Sequence, residues 1–302
     1  MSVPVPLLPA RSDGNAARVA VFMSGSGSNA EALLRYSQKP DCAFKVVVIV
    51  TDRPRRCRAQ EIAEKWGLPL LECDIFAFYA AHGEAKIQLD TPKRRQLRES
   101  WNARLTEQVR TFRPDFGVLA GFIPLLNLAG TLPLLNVHPG DLTIIDADGR
   151  RRYAGLHFLP VEQALCDGRR FLRSSVILAQ PYTHDGADEL DSGWVLGLSA
   201  PVAVPDDTPD APRLRQLQAQ RPGKVVSADD PLRSWAKKCI ETLKRHGDHQ
   251  VLPRCVEDFA RGAFAASGGQ LYYRPTAKDG FSPVAAIEYA DWESAARPIL
   301  AN

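Results

Sequence analysis

The sequence predicts an α/β protein: a Rossmann-like parallel or mixed sheet with helices on both faces, in a single domain carrying inserted loops. Two observations carry this. RVAVFM (18–23), FKVVVIVT (44–51) and PLLECD (69–74) are short strand-like runs separated by stretches with apolar residues at helical spacing, a βαβαβ start. The first strand also passes into its helix through SGSGSN (24–29), a glycine loop of the kind that ends a parallel strand beneath a helix N-terminus.

In chain order, residues 1–17 lack a charged start followed by a long apolar core, so they read as a mobile tail before a domain spanning 18–302. Ala30, Leu33 and Leu34 begin an apolar period that predicts a helix over 30–38. RAQEIAEKWGL (58–68) places Ile62, Ala63 and Trp66 on one side and Gly67 at the C-terminus, a second helix. Residues 77–98 look inserted, and Lys93, Arg94 and Arg95 within them read as a solvated face. A long helix then runs to about Arg113, with Leu105 and Val109 at i, i+4. DFGVLAGFIPLL (115–126) is a buried strand entering a turn, and LLNVHPGDL (134–142) is a strand ending in polar residues. Residues 143–152 form a charged, glycine-containing insert, and PVEQALCDG (160–168) is a short helix closed by Gly168. RSSVILAQ, GWVLGLSAPVAV and LYYRP are the later strands, and 205–231 is a proline-rich surface excursion. Two helices follow, around 232–246 and 250–266.

Bulk properties narrow the class. A net charge of +3 on 302 residues is too mild to imply nucleic acid. The six cysteines form no C-x-x-C pair and lie at no zinc-ligand spacing, which points to reduced thiols, no metal and a cytoplasmic location. No apolar run approaches a membrane span.

Two constellations could do chemistry. Gly25, Gly27 and Ala30 satisfy G-x-G-x-x-A, and Asp52 closes the next strand where a dinucleotide-binding fold keeps its ribose carboxylate. The loop therefore suits either a nicotinamide dinucleotide, making the chain an NAD(P)-dependent oxidoreductase, or the phosphate of a substrate. Asn136 and His138 leave the same face of one strand at its carboxyl end, where an amide donor and an imidazole can share an acyl transfer. On two residues alone, a strand-end cap explains the pair better. HDGADELDSG (184–193) adds Asp185, Asp188, Glu189 and Asp191 on a loop that fails the EF-hand pattern. A carboxylate from it beside His138 would hold the ring and favour its charged form.

In order, SGSGSN, LAGFIPLL (119–126), LLNVHPGDL and DELDSG (188–193) resemble the motifs of the 10-formyltetrahydrofolate-dependent formyltransferases. HQVLPRCVEDFARGAF (249–264) and GGQLYYR (268–274) are similar to that family's closing helix and strand. The resemblance is strongest to members that formylate glycinamide ribonucleotide in purine biosynthesis. It implies Asn136, His138 and Asp191 as the catalytic trio, and Gly27, Ser28 and Asn29 as receivers of the acceptor's phosphate. Leu125 and Leu126 would border the folate, with Asp188 and Glu189 on the loop that meets its pterin edge. It also implies 10-formyltetrahydrofolate as co-substrate, a small acceptor amine as the other partner, no metal, and a homodimer as one oligomeric option. An amino sugar linked to a nucleotide, or water in a hydrolase, are the other acceptors the family allows.

There are departures. Pro124 replaces a commonly basic residue, Gly140 and Asp141 replace a Ser-Leu pair, and Ile177 stands where a histidine is frequent. Arg150, Arg151 and Arg152 suit either an anionic substrate group or a solvated loop.

Overall fold

The computed structural model describes residues 3–9, 11, 14–181, 191–223, 226–227 and 229–300. In chain order the strands and helices are β1 (Val5–Pro6), β2 (Ala17–Met23), α1 (Ser28–Tyr36), β3 (Phe44–Thr51), α2 (Ala59–Trp66), β4 (Leu70–Glu72), α3 (Ile75–Ala81) and α4 (Pro92–Arg110). Next come β5 (Phe116–Leu119), β6 (Leu134–His138), α5 (Leu159–Cys166), β7 (Phe171–Leu172), β8 (Ser175–Leu178), β9 (Val195–Ser199) and β10 (Val202–Ala203). The chain finishes with α6 (Ala211–Ala219), α7 (Pro231–Leu243), α8 (His249–Ala260), β11 (Phe264–Ser267), β12 (Gln270–Tyr273), β13 (Ser282–Val284), β14 (Ala286–Tyr289) and β15 (Arg297–Ile299).

These residues group into two compact units, a division absent from the single-domain expectation. One comprises 1–136, 178–194 and 256–282; the other comprises 137–177, 195–255 and 283–302. The chain first passes between them inside β6, after Asn136.

In the first unit β6, β5, β2, β3 and β4 lie side by side, all parallel. Val19, Ala20, Val21, Phe22 and Met23 of β2 are all fully buried, as expected of a parallel strand covered on both faces. Helix α4 presents Leu97, Trp101, Leu105 and Val109, one apolar stripe, to a core containing Phe22, Val50 and Leu134. Within the stretch read as an insert at 77–98, both ends are helical. Asp74 caps α3 by accepting from Ala77 N, and Thr91 caps α4 by accepting from Arg94 N. The basic trio is not a merely solvated face but stitches this stretch together. Arg94 bonds Glu84 and Asp90, Lys93 pairs with Glu84, and Arg95 donates to Leu89 O. The N-terminal segment also departs from a mobile tail. β1 pairs antiparallel with β11, Leu8 is buried, and the Arg11 guanidinium bonds both oxygens of Asp115.

In the second unit β15, β14, β9 and β8 are neighbours, with only the β14–β9 pair parallel. Helices α5, α6 and α7 share a core with Leu165, Leu214, Leu232 and Ala236. The 205–231 stretch is therefore not a bare excursion, since α6 lies within it. Arg221 at its end donates to Glu162 (2.9 Å) and to both oxygens of Asp230 (3.0 and 2.7 Å), and Arg233 donates to the other oxygen of Glu162 (3.0 Å). Glu162 is completely buried, so these guanidinium groups are what make its position on α5 tolerable. A π turn, Lys244–Asp248, joins α7 to α8. Helix α8 stops at Ala260 rather than 266, because β11 begins at Phe264.

Candidate active site

The glycine loop is built by backbone geometry. Gly27 is the N-cap of α1 with φ +72°, a conformation other residues rarely adopt. A Cβ there would also overlap Ile62 Cδ1 and lie 2.7 Å from Met23 Cε. Gly25, by contrast, is exposed with open space around it. The helix starts at Ser28, two residues earlier than its apolar period suggests, so Ser28 and Asn29 form its first turn. Gly27 brings no side chain to cap that end, and Glu31 N bonds back to Gly27 O. A helix start leaves its first N–H groups without intrahelical partners at the positive end of the dipole, a geometry that suits an anion.

Asp52 does not serve a ribose. It is fully buried, accepts a hydrogen bond from Ser24 Oγ, and takes Arg53 Nε at 3.2 Å. Burial raises its pKa against the opposing effect of Ser24 and Arg53. The acidic residue that a dinucleotide reading requires is therefore consumed inside the protein. Ser24 Oγ also accepts from Ile123 N (3.0 Å), tying the turn after β5 to the end of β2.

That turn carries the expected folate-bordering leucines, and the structure separates them. Leu126 is buried in the first unit's core, whereas Leu125 is half-buried. The Leu125 carbonyl lies 3.5 Å from Nη1 of Arg98, whose Nη2 donates to Ile87 O (2.9 Å). Arg98 is only 3 % exposed. Its charge hides it in the sequence, although it lies at helical spacing with Trp101 and Leu105 on the buried stripe of α4.

Asn136 and His138 close β6, with Leu119 of β5 opposite Asn136. His138 is 3 % exposed, and its Nε2 lies 2.8 Å from the carbonyl oxygen of Tyr153. A carbonyl only accepts, so Nε2 carries the hydrogen and, in the neutral ring, Nδ1 holds the lone pair. The following turn is pinned by Ser175 Oγ, which donates to Gly140 O (2.7 Å) and accepts from Leu142 N (3.0 Å). Gly140 leaves room for this arrangement: a Cβ there would stand 2.6 Å from Tyr153 O and 3.1 Å from His138 Nε2.

Asp191 is almost buried. Asp185, Asp188 and Glu189 lie outside the described residues. Ile177 is wholly buried among Leu142, Val195 and Leu198, so this position packs a core rather than lining a polar site. The arginine trio also divides. Arg152 grips Asp167 through Nε and Nη2 (2.9 and 2.7 Å), Arg151 sits in an isolated bridge with Ile145, and Arg150 is exposed. Among the described residues no group of three or more His, Cys, Asp or Glu side chains is placed to hold a metal ion. No helix among them is long and apolar enough to cross a membrane.

Fold and strand ends together define an α/β protein with a glycine-started helix after β2 and a buried histidine at the end of parallel strand β6. Residues 17–222 match the family model described as formyl transferase, and the chain belongs to that family. It is 28 % identical over 207 residues to the phosphoribosylglycinamide formyltransferase, chloroplastic, of Arabidopsis thaliana, covering 67 % of this chain and 61 % of that protein. It is 26 % identical over 208 residues to the protein of the same name from Vigna unguiculata, covering 67 % and 57 %. The chain thus spans about three fifths of the length of these curated relatives. Among solved structures it is similar to glycinamide ribonucleotide transformylase 1 from Symbiobacterium toebii (TM-score 0.56, 20 % identity, 85 % of this chain and 93 % of that one). It is likewise similar to the phosphoribosylglycinamide formyltransferase of Coxiella burnetii (TM-score 0.57, 17 % identity, 90 % and 97 %). These likenesses carry the α/β architecture that the sequence predicts.

Proposed function

We propose that the chain transfers the formyl group of 10-formyltetrahydrofolate to the amine of glycinamide ribonucleotide, a step of purine biosynthesis. The observation that carries this reading is the end of β6, where Asn136 and a buried His138 with its lone pair on Nδ1 stand two residues apart on a family-matching strand. In the reaction the amine attacks the formyl carbon and the carbonyl oxygen gathers negative charge. The Asn136 amide stabilises that oxyanion, and His138 takes the amine proton and delivers it to the departing folate nitrogen. Asp191 is the third member by resemblance, with the role of favouring the imidazolium. N–H groups of Gly27, Ser28 and Asn29 take the acceptor's phosphate. Leu125 and the backbone of its turn border the pterin, and the loop with Asp188 and Glu189 meets the pterin's edge; Leu126 is left to the core.

The test is folate product formation by the purified chain, with and without acceptor. Turnover that needs both substrates supports the reading. Consumption of the folate without an amine would make the chain a hydrolase, and turnover only with an amino sugar would change the acceptor. The reading fits a cytoplasmic enzyme, since none of the six cysteines is disulfide-bonded and burial raises the Cys42 and Cys73 thiols to about 12 and about 11. Sedimentation of the purified chain decides the homodimer.

A further inference from the structure

The carbonyl that fixes the His138 ring belongs to neither helix nor strand. It is the backbone oxygen of Tyr153, at the end of the charged insert, and it is held through that residue's side chain. The Tyr153 ring is 3 % exposed. Its hydroxyl accepts from Arg169 Nε (2.8 Å) and donates to Asp167 Oδ2 (3.1 Å), and Asp167 is clamped by both nitrogens that Arg152 directs at it. Asp167 is the C-cap of α5, so the chain of bonds runs from a fixed helix end, through a carboxylate and a phenol, to the backbone that touches the catalytic ring. Arg152 holds the Asp167 carboxyl below its ordinary range, keeping it an acceptor. Arg169 also lies 5.7 Å from the centre of the Tyr153 ring, covering its face. Gly140 completes the arrangement by leaving the carbonyl its path.

We propose that Arg152, Asp167 and Tyr153 are positioning residues that select the Nε2-protonated tautomer of His138 and so leave Nδ1 as the base. This rests on the formyl-transfer reading for its catalytic consequence, but not for its structural content. One member of the insert's basic trio thereby acts on the catalytic histidine rather than on a substrate anion. The geometry suits this role because a neutral imidazole has two tautomers, and a buried acceptor aimed at one nitrogen decides between them.

The experiment uses the full chain labelled with ¹⁵N. Ring signals of His138, assigned by their loss in His138→Gln, should show a protonated Nε2 and an unprotonated Nδ1 in the neutral ring. Asp167→Asn and Tyr153→Phe should each introduce the other tautomer. They should also lower kcat about ten- to a hundredfold, a part of the roughly 10²–10⁴ that general acid–base catalysis supplies, with both KM values unchanged. Arg152→Gln, at a partly exposed position, guards against a folding defect and should show a smaller mixture, while Asp167→Glu should restore a single tautomer. Wild-type His138 protonated on Nδ1, or an unchanged tautomer and kcat in both Asp167→Asn and Tyr153→Phe, would overturn the proposal. Absence of formyl transfer in the wild type would sink the functional reading alone, because the ring signals need no substrate.

Discussion

The loop at 24–29 and the strand end at 136–140 both leave the carboxyl ends of parallel strands, yet they are made in opposite ways. The first takes its donors locally, from one glycine at positive φ and the opening turn of α1, while residues far along the chain brace the loop through Ser24, Gly25 and Ser26. The second is borrowed: His138 depends on a carbonyl 15 residues later, which itself depends on Asp167 and Arg169. A site made of backbone can be read from spacing, whereas a site made of distant partners cannot.

Substitution at the borrowed end should have the largest effect. His138→Ala should lower turnover by roughly 10²–10⁴, the range for losing a general acid–base group. Asn136→Ala should cost about 10²–10³, the range for an oxyanion donor. A residue that merely closed a strand would be expendable for stability. The burial of His138 changes that: the Tyr153 carbonyl would lose its donor, so urea denaturation of His138→Ala should show a loss of about 1–3 kcal/mol.

The local end should respond differently. Gly27→Val must hold a β-branched residue at φ +72° against Ile62 and Met23, a strain of about 1–3 kcal/mol before any ligand binds. Steady-state kinetics should show the KM for the phosphorylated acceptor rising while that for the folate stays put. An equal rise in both would remove the distinction between the two ends.

Gly140→Ala sharpens the comparison from the other side. Its Cβ pushes on Tyr153 O, so the expected result is a fall in kcat without a change in either KM, together with an overpacking cost of about 1–3 kcal/mol in thermal denaturation. If kcat stays at the wild-type value, the Tyr153 carbonyl is not what steers His138.

The smallest effect should come from Asp52, the residue that a dinucleotide site would have exposed. Its folded pKa is raised, so the folded state binds this proton more tightly than the unfolded chain does. The stability it confers is present below the ordinary carboxylate value and is lost as pH rises through the raised one. Asp52→Asn should flatten that slope in melting curves taken across the acid range. A wild type whose stability instead rises with pH through this window, by an increment that Asp52→Asn abolishes, would show a carboxylate stabilised in its charged form.

Much of the first unit was legible because its signals are short-range. The apolar runs of β2 and β3, the Gly67 stop of α2 and the Leu105–Val109 pair of α4 each follow from local periodicity. The N-terminal pairing was not legible, since Val5 and Pro6 meet Ala266 and Ala265 from the far end of the chain. The 205–231 stretch misled for a related reason: prolines at its borders suggested loop, but Pro212 sits at the start of α6, where a missing N–H costs nothing. At the site, Asn136, His138 and Gly27 were visible as motif residues. Tyr153, Asp167 and Arg98 were not, because each matters through a hydrogen bond to residues remote in sequence. The departure at Gly140 was visible but unexplained until Tyr153 was seen against it.

The Arg221–Glu162 contact has a consequence for how this chain can change over generations. Arg221 lies in the 205–231 stretch, where Asp230 also holds it, whereas the carboxylate it helps neutralise belongs to the helix α5 core. A deletion trimming that stretch would strip a completely buried Glu162 of one of its two guanidinium partners, leaving Arg233 alone. The trimmed chain would be tolerated only in a lineage where Glu162 had already become apolar. The length of that stretch and the identity of residue 162 are therefore coupled.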